Sequence, residues 1–522
     1  MKRLSFIICH LVFSVAFILL LASCSKNQGG RLIPDNAVAV IRFDMMKTME
    51  STGMRGDDTS VKSQLEKLIK DIGLDKEVRE KLMDILDDPT STGIDFTEPV
   101  YLYFAAKGAN DFDGGFVGTT ASKSDLAELI NMLGEMDDDI TLEEYKSDGI
   151  QYARLDHSTV IVFNSDWFYI GPIERSSDWE SEVEDTIEEL LAHAGGKDNI
   201  EDNEVFQKMC DGKGLMQLGF FGSGMDGIPG ISEVLQQLPE DCDLKDIGGV
   251  CDLIIDKGEI VFEGEALLLS DAWKKQAELF TINPIEKSQA KYAEANGALA
   301  IVNAETEGLF DYIVKMAKNA GASDDDLGKL DEMKSVFDAF TGQATIAVNS
   351  WEEKDGPEVV AYVGTSNNSL VETLVSTATD STSIVKVGTD EYRLPIDYDY
   401  DYNDSIGDWT MTPTKFINVG WKDNQTYFLV NTEDEPFTAS HKPFTDVKGV
   451  GFFIYVSGEL LGHAISAISD DSSIAGEAVN DLLDYMELYY ESTTKGVFRI
   501  AMKNKDKSPV VAIIDYVKRN FM

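Results

Sequence analysis

The chain has 522 residues, of which 43% are hydrophobic and 10% aromatic, and its 93 acidic and 45 basic side chains give a formal net charge of −48. The hydrophobic content excludes an acidic disordered tail and indicates a globular protein, long enough for roughly two to four domains. Because a surface of this charge repels phosphate groups, the composition also excludes nucleic acid as a partner.

The first predicted element is an export signal that ends at Cys24. Lys2 and Arg3 precede an apolar run from Leu4 to Leu21, and two small residues lie directly before the cysteine. A transmembrane anchor is the alternative, but the run is short for a span of about 20 residues. Small residues before the cysteine suit cleavage by a signal peptidase. We therefore expect residues 1–23 to be removed and Cys24 to carry lipid.

Residues 24–32 form the predicted tether between the membrane and the first domain. The stretch from Ser25 to Gly30 is polar and rich in small residues, as flexible linkers are. In the lipoproteins that this signal resembles, an aspartate directly after the cysteine favours the inner membrane and an acidic cluster favours the cell surface. Neither is present, so we expect an outer-membrane lipoprotein that faces the periplasm, with surface exposure as the alternative.

Three further cysteines follow Cys24 in the chain, namely Cys210, Cys242 and Cys251. An exported protein meets oxidising conditions, and Cys242 and Cys251 are close enough in sequence to close a short loop, which makes them the disulfide candidate. Because three is an odd number, at least one thiol has no partner within the chain. No CxxC spacing or flanking histidine indicates a zinc site.

An internal duplication organises the chain after the tether. The segment from Ile33 to Ile41, a polar turn followed by an apolar strand, recurs from Ala293 to Val302, and a helical pattern follows both. The later matched segments, first copy against second, are 100–105 and 344–348, 115–119 and 360–365, 152–155 and 392–394, 167–170 and 427–430, and 218–221 and 450–453. We predict two repeats, at residues 33–284 and 285–522, divided near Pro284.

The predicted fold class is α+β, with two related repeats that are each an antiparallel sheet with helices packed on it. Short strands rich in valine, isoleucine, tyrosine and phenylalanine come in neighbouring pairs joined by polar turns such as Gly108 to Gly114, which favours antiparallel pairing. The predicted helix over residues 61–72 carries Leu65, Leu68 and Ile69 at helical spacing. It therefore has an apolar face to lay on the sheet.

The chain after the signal resembles the tandem-repeat lipoproteins of Bacteroidetes-type bacteria that are grouped as domain of unknown function 4836. The features that carry the resemblance are the signal ending at Cys24, the opening segment Ile33 to Val40 and its echo from Gly297 to Val302. The resemblance implies the repeated fold and the envelope location. It offers no catalytic residues.

One segment has the form of a cofactor motif. Gly222 to Gly227 reads GxGxxG, after a predicted strand and before a predicted helix over residues 231–238. A parallel βαβ pattern does not surround it, and the second copy has Tyr455 to Leu460 at the equivalent place. We therefore predict a glycine-rich turn from strand to helix, and no cofactor.

The two copies differ most at residues 397–411, an insertion in the second copy. Its candidate binding residues are Asp397, Tyr398, Asp399, Tyr400, Asp401, Tyr402, Asp404 and Trp409. In an extended chain, alternation places the aspartates on one face and the tyrosines on the other. The acidic face suits calcium, and the aromatic face suits a sugar ring or a protein. A solvated loop is the third interpretation.

No GxSxG, HExxH or Walker motif is present in the sequence. Glu459 and His463 lie four residues apart on a predicted helix, but the sequence shows no third metal ligand beside them. We expect a non-enzymatic binding or scaffold protein whose partner is an envelope protein, a glycan or a divalent cation. The alternative is an exported hydrolase that uses a carboxylate pair in the cleft between the repeats.

Overall fold

The computed structural model of the chain describes residues 29–55, 60–71, 76–108, 111–136, 139–146, 149–173, 179–228, 238, 241–278, 282–290, 293–305, 310, 314, 317–318, 323, 327–328, 330, 334–352, 356–377, 384–403, 408–430, 444–468 and 473–521. The predicted signal peptide and Cys24 lie outside these residues. Gly29–Leu32, the end of the predicted tether, forms a 3₁₀ turn in which Gly29, Gly30 and Leu32 are buried. The folded body therefore begins inside the predicted tether.

The chain divides into two compact units. Unit 1 contains the residues up to Lys274 together with Asn504–Met522, and unit 2 contains Lys275–Lys503. The last segment of the chain thus returns to unit 1, whereas the predicted second repeat runs from 285 to 522. Among the described residues, no helix is long and apolar enough to cross a membrane.

Unit 1 is built on an antiparallel sheet. Its strands are β1 (Ala37–Phe43), β2 (Val100–Gly108), β3 (Asp111–Thr119), β4 (Leu142–Tyr145), β5 (Ile150–Arg154), β6 (Thr159–Phe163), β7 (Trp167–Pro172), β8 (Met216–Phe221), β9 (Ile247–Asp256) and β10 (Glu259–Leu268). They pair in the spatial order β4-β5-β6-β7-β3-β2-β1-β8-β9-β10. The first strand therefore lies inside the sheet, between β2 and β8.

Helices cover both faces of this sheet. Those with described bounds are α1 (Met45–Ser51), α2 (Ser60–Asp71), α3 (Lys76–Asp87), α4 (Lys123–Met136), α5 (Trp179–Ala194) and α6 (Glu204–Cys210). A further helix, α7 (Asp271–Ala277), spans the division of the chain at Lys274. Residues Ile161 and Phe163 of β6 enter a core that includes α2, α3 and α4, while Val160 and Val162 enter a second core with α5 and α6. Since successive strand residues point to opposite faces, a nearly continuous apolar strand is buried on both sides.

Two local predictions in unit 1 need correction. In α2, Ile69 is buried and Leu65 is partly buried, but Leu68 is 42% exposed, so the buried stripe is narrower than the predicted one. The turn predicted over Gly108 to Gly114 is tighter, because Gly108 already pairs with Asp111 and β3 starts at that residue. The antiparallel pairing of the two strands is confirmed.

Unit 2 is built on a second antiparallel arrangement of strands. They are β11 (Ala298–Asn303), β12 (Phe340–Glu352), β13 (Gly356–Thr365), β14 (Val385–Lys386), β15 (Glu391–Asn403), β16 (Asp408–Lys422), β17 (Gln425–Val430), β18 (Val450–Ser457), β19 (Leu483–Tyr490) and β20 (Lys495–Met502). Their spatial order is β14-β15-β16-β17-β13-β12-β11-β18-β19-β20. The predicted mixed class with antiparallel sheet is therefore confirmed.

The helices of unit 2 whose bounds are described are α8 (Lys334–Phe337), α9 (Ser369–Thr377), α10 (Gly458–Ile468) and α11 (Ser473–Leu482). Phe453 and Tyr455 of β18 are buried and pack against the Phe444 ring, with ring centroids 5.9 and 4.4 Å away. The chain ends with α12 (Pro509–Phe521), which belongs to unit 1.

Candidate functional site

The predicted insertion forms an extended two-stranded ribbon in unit 2. The strands β15 and β16 pair from Glu391 and Gly420 out to Asn403 and Asp408. The outer neighbours end much earlier, since β17 pairs with β16 only from Ile417 inward and β14 reaches only Tyr392 and Arg393. Among the described residues, the ribbon beyond these points therefore has no third strand, which leaves its backbone edges open.

In the outer part of the ribbon, tyrosines lie opposite apolar or aromatic residues and aspartates lie opposite threonines. After two register shifts near Asp397, the pairs that contain tyrosine are Tyr398 with Pro413, Tyr400 with Met411 and Tyr402 with Trp409. The aspartates alternate with them, Asp399 opposite Thr412 and Asp401 opposite Thr410. Residues directly opposite in an antiparallel pair belong to the same face. The extended backbone on which the predicted alternation depends is therefore present.

Asp397 and Asp399 are exposed and Tyr398 is half-buried. The Asp397 carboxylate accepts a hydrogen bond from the backbone N–H of Tyr398 at 2.9 Å. Asp404 and the side chains of residues 400–411 lie outside the described part. Within the described part, no group of three or more histidine, cysteine or acidic side chains is arranged to hold a metal ion.

The glycine motif of unit 1 is a packing feature. Gly222–Gly227 forms a 3₁₀ turn after β8, and β8 pairs antiparallel with both of its neighbours. A Cβ atom on Gly222 would lie 1.8 Å from the Leu244 carbonyl oxygen, and one on Gly224 would lie 2.3 Å from that of Ala37. The glycines thus allow close backbone contact. The helix predicted over residues 231–238 falls almost entirely outside the described residues.

The disulfide candidate is not formed, because Cys210, Cys242 and Cys251 are all free thiols. Cys251 lies within the extended strand β9, which begins at Ile247, while Cys242 precedes that strand. A strand rises about 3.3 Å per residue, so β9 carries Cys251 roughly 13 Å from its own start. A disulfide requires Cα atoms within about 7 Å. The extended strand thus holds Cys251 away from the strand end that is nearest in sequence to Cys242.

A cavity of about 580 Å³ in unit 1 is a second candidate site, and the sequence did not predict it. It lies where α1, the loop before β8, the β9–β10 turn and the segment before α12 meet. Its basic lining residues are Lys47, Arg55, Lys213, Lys257 and Lys507, its acidic ones are Glu50, Asp256 and Asp506, and the rest are Ser51, Gly214, Leu215, Ile254, Ile255, Ser508 and Val511. Basic residues outnumber acidic ones here, the reverse of the whole chain.

Two of the basic side chains in the cavity are tied to carboxylates. The Lys47 ammonium lies 3.1 Å from Asp44, which also caps α1 by accepting from the Lys47 backbone N–H. It donates as well to the Lys213 carbonyl oxygen at 2.6 Å. The Lys507 ammonium lies 2.6 Å from Asp515 of α12. These pairs fix two walls of the cavity.

A buried polar network holds the loop that carries Lys213. The Asp252 carboxylate accepts the backbone N–H groups of Lys213 and Gly214, both at 2.7 Å, and the Gln217 amide at 2.8 Å. Gln217 is 1% exposed and accepts a short hydrogen bond from Arg42, whose side chain is also buried. The wall of the cavity is therefore anchored to the centre of the sheet through β1, β8 and β9.

The fold is of the α+β class, with helices and antiparallel sheet. A family profile described as a domain of unknown function, DUF4836, matches residues 30–403, which is most of the chain. The chain therefore belongs to this family. No curated protein matches it.

One solved structure, crystal form III of TP0453, is similar to this chain. The matched part is 47% of this chain and 80% of the TP0453 chain. The identity is 14% and the TM-score is 0.27. A similarity at this level carries no inference about fold or function.

Proposed function

We propose that this protein is anchored to the cell envelope by lipid and acts by binding a partner, not by catalysis. Residues 1–23 are its signal peptide, and Cys24 carries the lipid at the outer membrane, with the folded units on the periplasmic side. The basic start, the apolar run and the small residues before Cys24 support this assignment. Several acyl chains, at about 0.8 kcal/mol per buried CH₂, make such attachment permanent.

The proposal includes an origin by duplication, and the order of the strands supports it. In unit 1 the strand β1 lies between β2 and β8, and in unit 2 β11 lies between β12 and β18. Likewise β3 pairs with β7, and β13 pairs with β17. Segments that match in sequence thus occupy equivalent places in two sheets of the same topology.

The β15–β16 ribbon is the observation that carries the binding role. The equivalent hairpin of unit 1 is short, since β5 and β6 end at the pair Arg154 and Val160. A projecting segment that the fold does not need is a place where function is added. Tyrosine provides a large contact area at a small cost in conformational entropy, so the ribbon suits a protein or glycan surface.

The hydroxyl groups in the cavity of unit 1 are consistent with binding. The Ser51 hydroxyl donates to the Thr48 carbonyl oxygen at 3.0 Å, and the Ser508 hydroxyl donates to the Ser51 carbonyl oxygen. A catalytic serine instead needs a general base as its hydrogen-bond acceptor. Both hydroxyl groups stabilise turns and helix ends.

A hairpin replacement tests the role of the ribbon. Residues 396–415 are exchanged for the five residues 155–159, which join the pair Arg154 and Val160 in unit 1, so that the opposite residues Pro395 and Phe416 close the hairpin. We expect an unchanged thermal unfolding temperature, because the removed pairs lie outside the body of the sheet. We also expect loss of the partner that crosslinks to the protein in intact cells.

Two matched triple variants identify which residues of the ribbon act. One changes Tyr398, Tyr400 and Tyr402 to serine, and the other changes Asp397, Asp399 and Asp401 to asparagine. Loss of the crosslinked partner with the tyrosine variant alone indicates aromatic contact, and loss with the aspartate variant alone indicates a cationic partner. An unchanged set of crosslinked partners after the hairpin replacement contradicts the proposal.

A further inference from the structure

Three basic side chains in the cavity of unit 1 differ from Lys47 and Lys507 in having no ion pair among the described residues. Among the described residues, Arg55, Lys213 and Lys257 have no carboxylate oxygen within the 4.0 Å limit of an ion pair. The Arg55 guanidinium contacts the Met46 sulfur at 3.3 Å instead. In a chain with 93 acidic and 45 basic residues, a basic side chain has carboxylates in excess around it. Three unpaired cations at one cavity therefore indicate a place for an anionic group.

The N-terminus of α12 adds backbone donors at the same cavity. The helix has 13 residues and starts with Pro509, and Val511 of its first turn lines the cavity. The first N–H groups of a helix have no acceptor within the helix. The Ser508 hydroxyl, in the usual capping position, donates to the Ser51 carbonyl oxygen, and the Ala512 N–H donates to the Ser508 carbonyl oxygen at 3.0 Å. Such a helix end carries a partial positive charge and favours phosphate.

The rest of the wall is apolar. Leu215 and Val511 are buried, and Ile254 and Ile255 lie beside them at the end of β9. A cavity of about 580 Å³ lies within the range of small-molecule sites, roughly 300–1,000 Å³. The cavity is thus larger than a free phosphate ion requires, and its apolar wall gains free energy from contact with an organic group.

The acidic lining residues limit the charge that the ligand can carry. Glu50, Asp256 and Asp506 repel an anion that spreads over the whole cavity. A ligand whose charge is confined to one end meets less repulsion from them than a ligand that is charged throughout. We propose that this cavity binds a phosphate monoester that has an apolar organic body.

Binding of three probes tests this proposal. The full-length chain in a non-ionic detergent is titrated by calorimetry with 1-naphthyl phosphate, with 1-naphthol and with inorganic phosphate. The first probe carries both features of the proposed ligand, and each of the others carries one. We expect 1-naphthyl phosphate to bind at least tenfold more tightly than either of the others, and its affinity to fall as salt screens the charges.

A triple variant with Arg55→Gln, Lys213→Gln and Lys257→Gln removes the unpaired charges. The matched control, Lys70→Gln, Lys76→Gln and Lys197→Gln, changes the net charge equally at exposed sites of unit 1 outside the cavity lining. We expect at least tenfold weaker binding of 1-naphthyl phosphate to the first variant and less than a twofold change in the control. All six residues are exposed, so we expect both variants to remain folded, and thermal unfolding checks this.

Three results overturn the proposal. They are no measurable binding of 1-naphthyl phosphate, equal binding of 1-naphthol, and equal weakening in the cavity variant and its control. The last result indicates that the field of the whole protein, not this cavity, controls the interaction.

Discussion

Gln217 and Asp252 lie directly opposite each other on β8 and β9, and the Gln217 amide donates to the Asp252 carboxylate at 2.8 Å. The same carboxylate accepts the backbone N–H groups of Lys213 and Gly214. A residue in the middle of a strand therefore determines the position of a loop that lines the cavity. The buried Arg42 guanidinium donates to the Gln217 side chain, so the Asp252 carboxylate also helps to hold the acceptor of Arg42 in place.

Replacing Asp252 with alanine is expected to lower the free energy of unfolding by about 2–4 kcal/mol. The change removes three hydrogen bonds to a charged acceptor, and the buried Gln217 amide keeps only its hydrogen bond to the Gly214 carbonyl oxygen. Urea denaturation measures the loss. Asp271→Ala is the control, because the Asp271 side chain is fully exposed, and its effect should stay within about 0.5 kcal/mol. Equal effects of the two substitutions would contradict the anchoring role of Asp252.

A buried carboxylate in unit 2 is expected to be equally sensitive. Glu487 is 1% exposed and lies 2.8 Å from the Lys448 ammonium and 3.4 Å from the Arg499 guanidinium, which faces it across β19 and β20. Removing one member of a buried ion pair costs about 3–5 kcal/mol, because the partner charges lose their buried counter-charge. We expect Glu487→Ala to reach this range in urea denaturation.

Glu491 provides the matched control for this substitution. It pairs with Lys495 at 3.6 Å while about half of its side chain is exposed. Exposed pairs contribute about 0–1 kcal/mol, so Glu491→Ala should lower the free energy of unfolding by less than 1 kcal/mol. A loss at Glu487 as small as the loss at Glu491 would show that this network contributes little to the stability of unit 2.

The thiols of the folded chain are expected to react slowly at neutral pH. Burial raises the pKa of both the Cys210 and Cys251 thiols, and burial with the nearby Asp241 and Asp246 charges raises the pKa of Cys242. Because the thiolate is the reactive form, a raised pKa lowers the rate at pH 7 and moves the reaction to higher pH. Labelling with a thiol reagent before and after unfolding measures this protection. A peptide in which Cys242 and Cys251 are crosslinked would contradict the free thiols.

Stability is expected to fall at alkaline pH because of buried tyrosines. Burial raises the pKa of Tyr101 and of Tyr169 well above the usual value near 10. The hydroxyl groups ionise first in the unfolded chain, so the free energy of unfolding is unaffected below about pH 10 and decreases above it. Urea denaturation midpoints at several pH values measure this. For Tyr101→Phe the decrease should be smaller, and an identical pH dependence would contradict the assignment.

The pattern of apolar residues along the sequence predicts many of the strands. The features that it does not predict depend on contacts between segments far apart in sequence. The segments around β2, β3, β7 and β8 were found from their apolar runs, because a strand buried in a sheet is a local feature of the sequence. The extended backbone of the ribbon likewise followed from its alternating aspartate and tyrosine residues. The return of α12 to unit 1 has no local pattern, since it depends on contacts such as that of Ser508 with Ser51.

The cavity was missed for the same physical reason. Lys47, Lys213, Lys257 and Lys507 belong to segments far apart in sequence, and each reads alone as an ordinary surface lysine. No motif or spacing connects them before the sheet is formed. The charge contrast with the rest of the chain becomes visible only once these segments are placed together.

The mass of the N-terminal peptide tests lipid anchoring through Cys24 most directly. Trypsin cuts after Lys26, so the processed protein from the envelope fraction should give a peptide that starts at Cys24 and carries the added mass of acyl chains. The Cys24→Ser variant should lack this acylated peptide. An unmodified Cys24, or a peptide that contains residues before it, would contradict the proposed anchor.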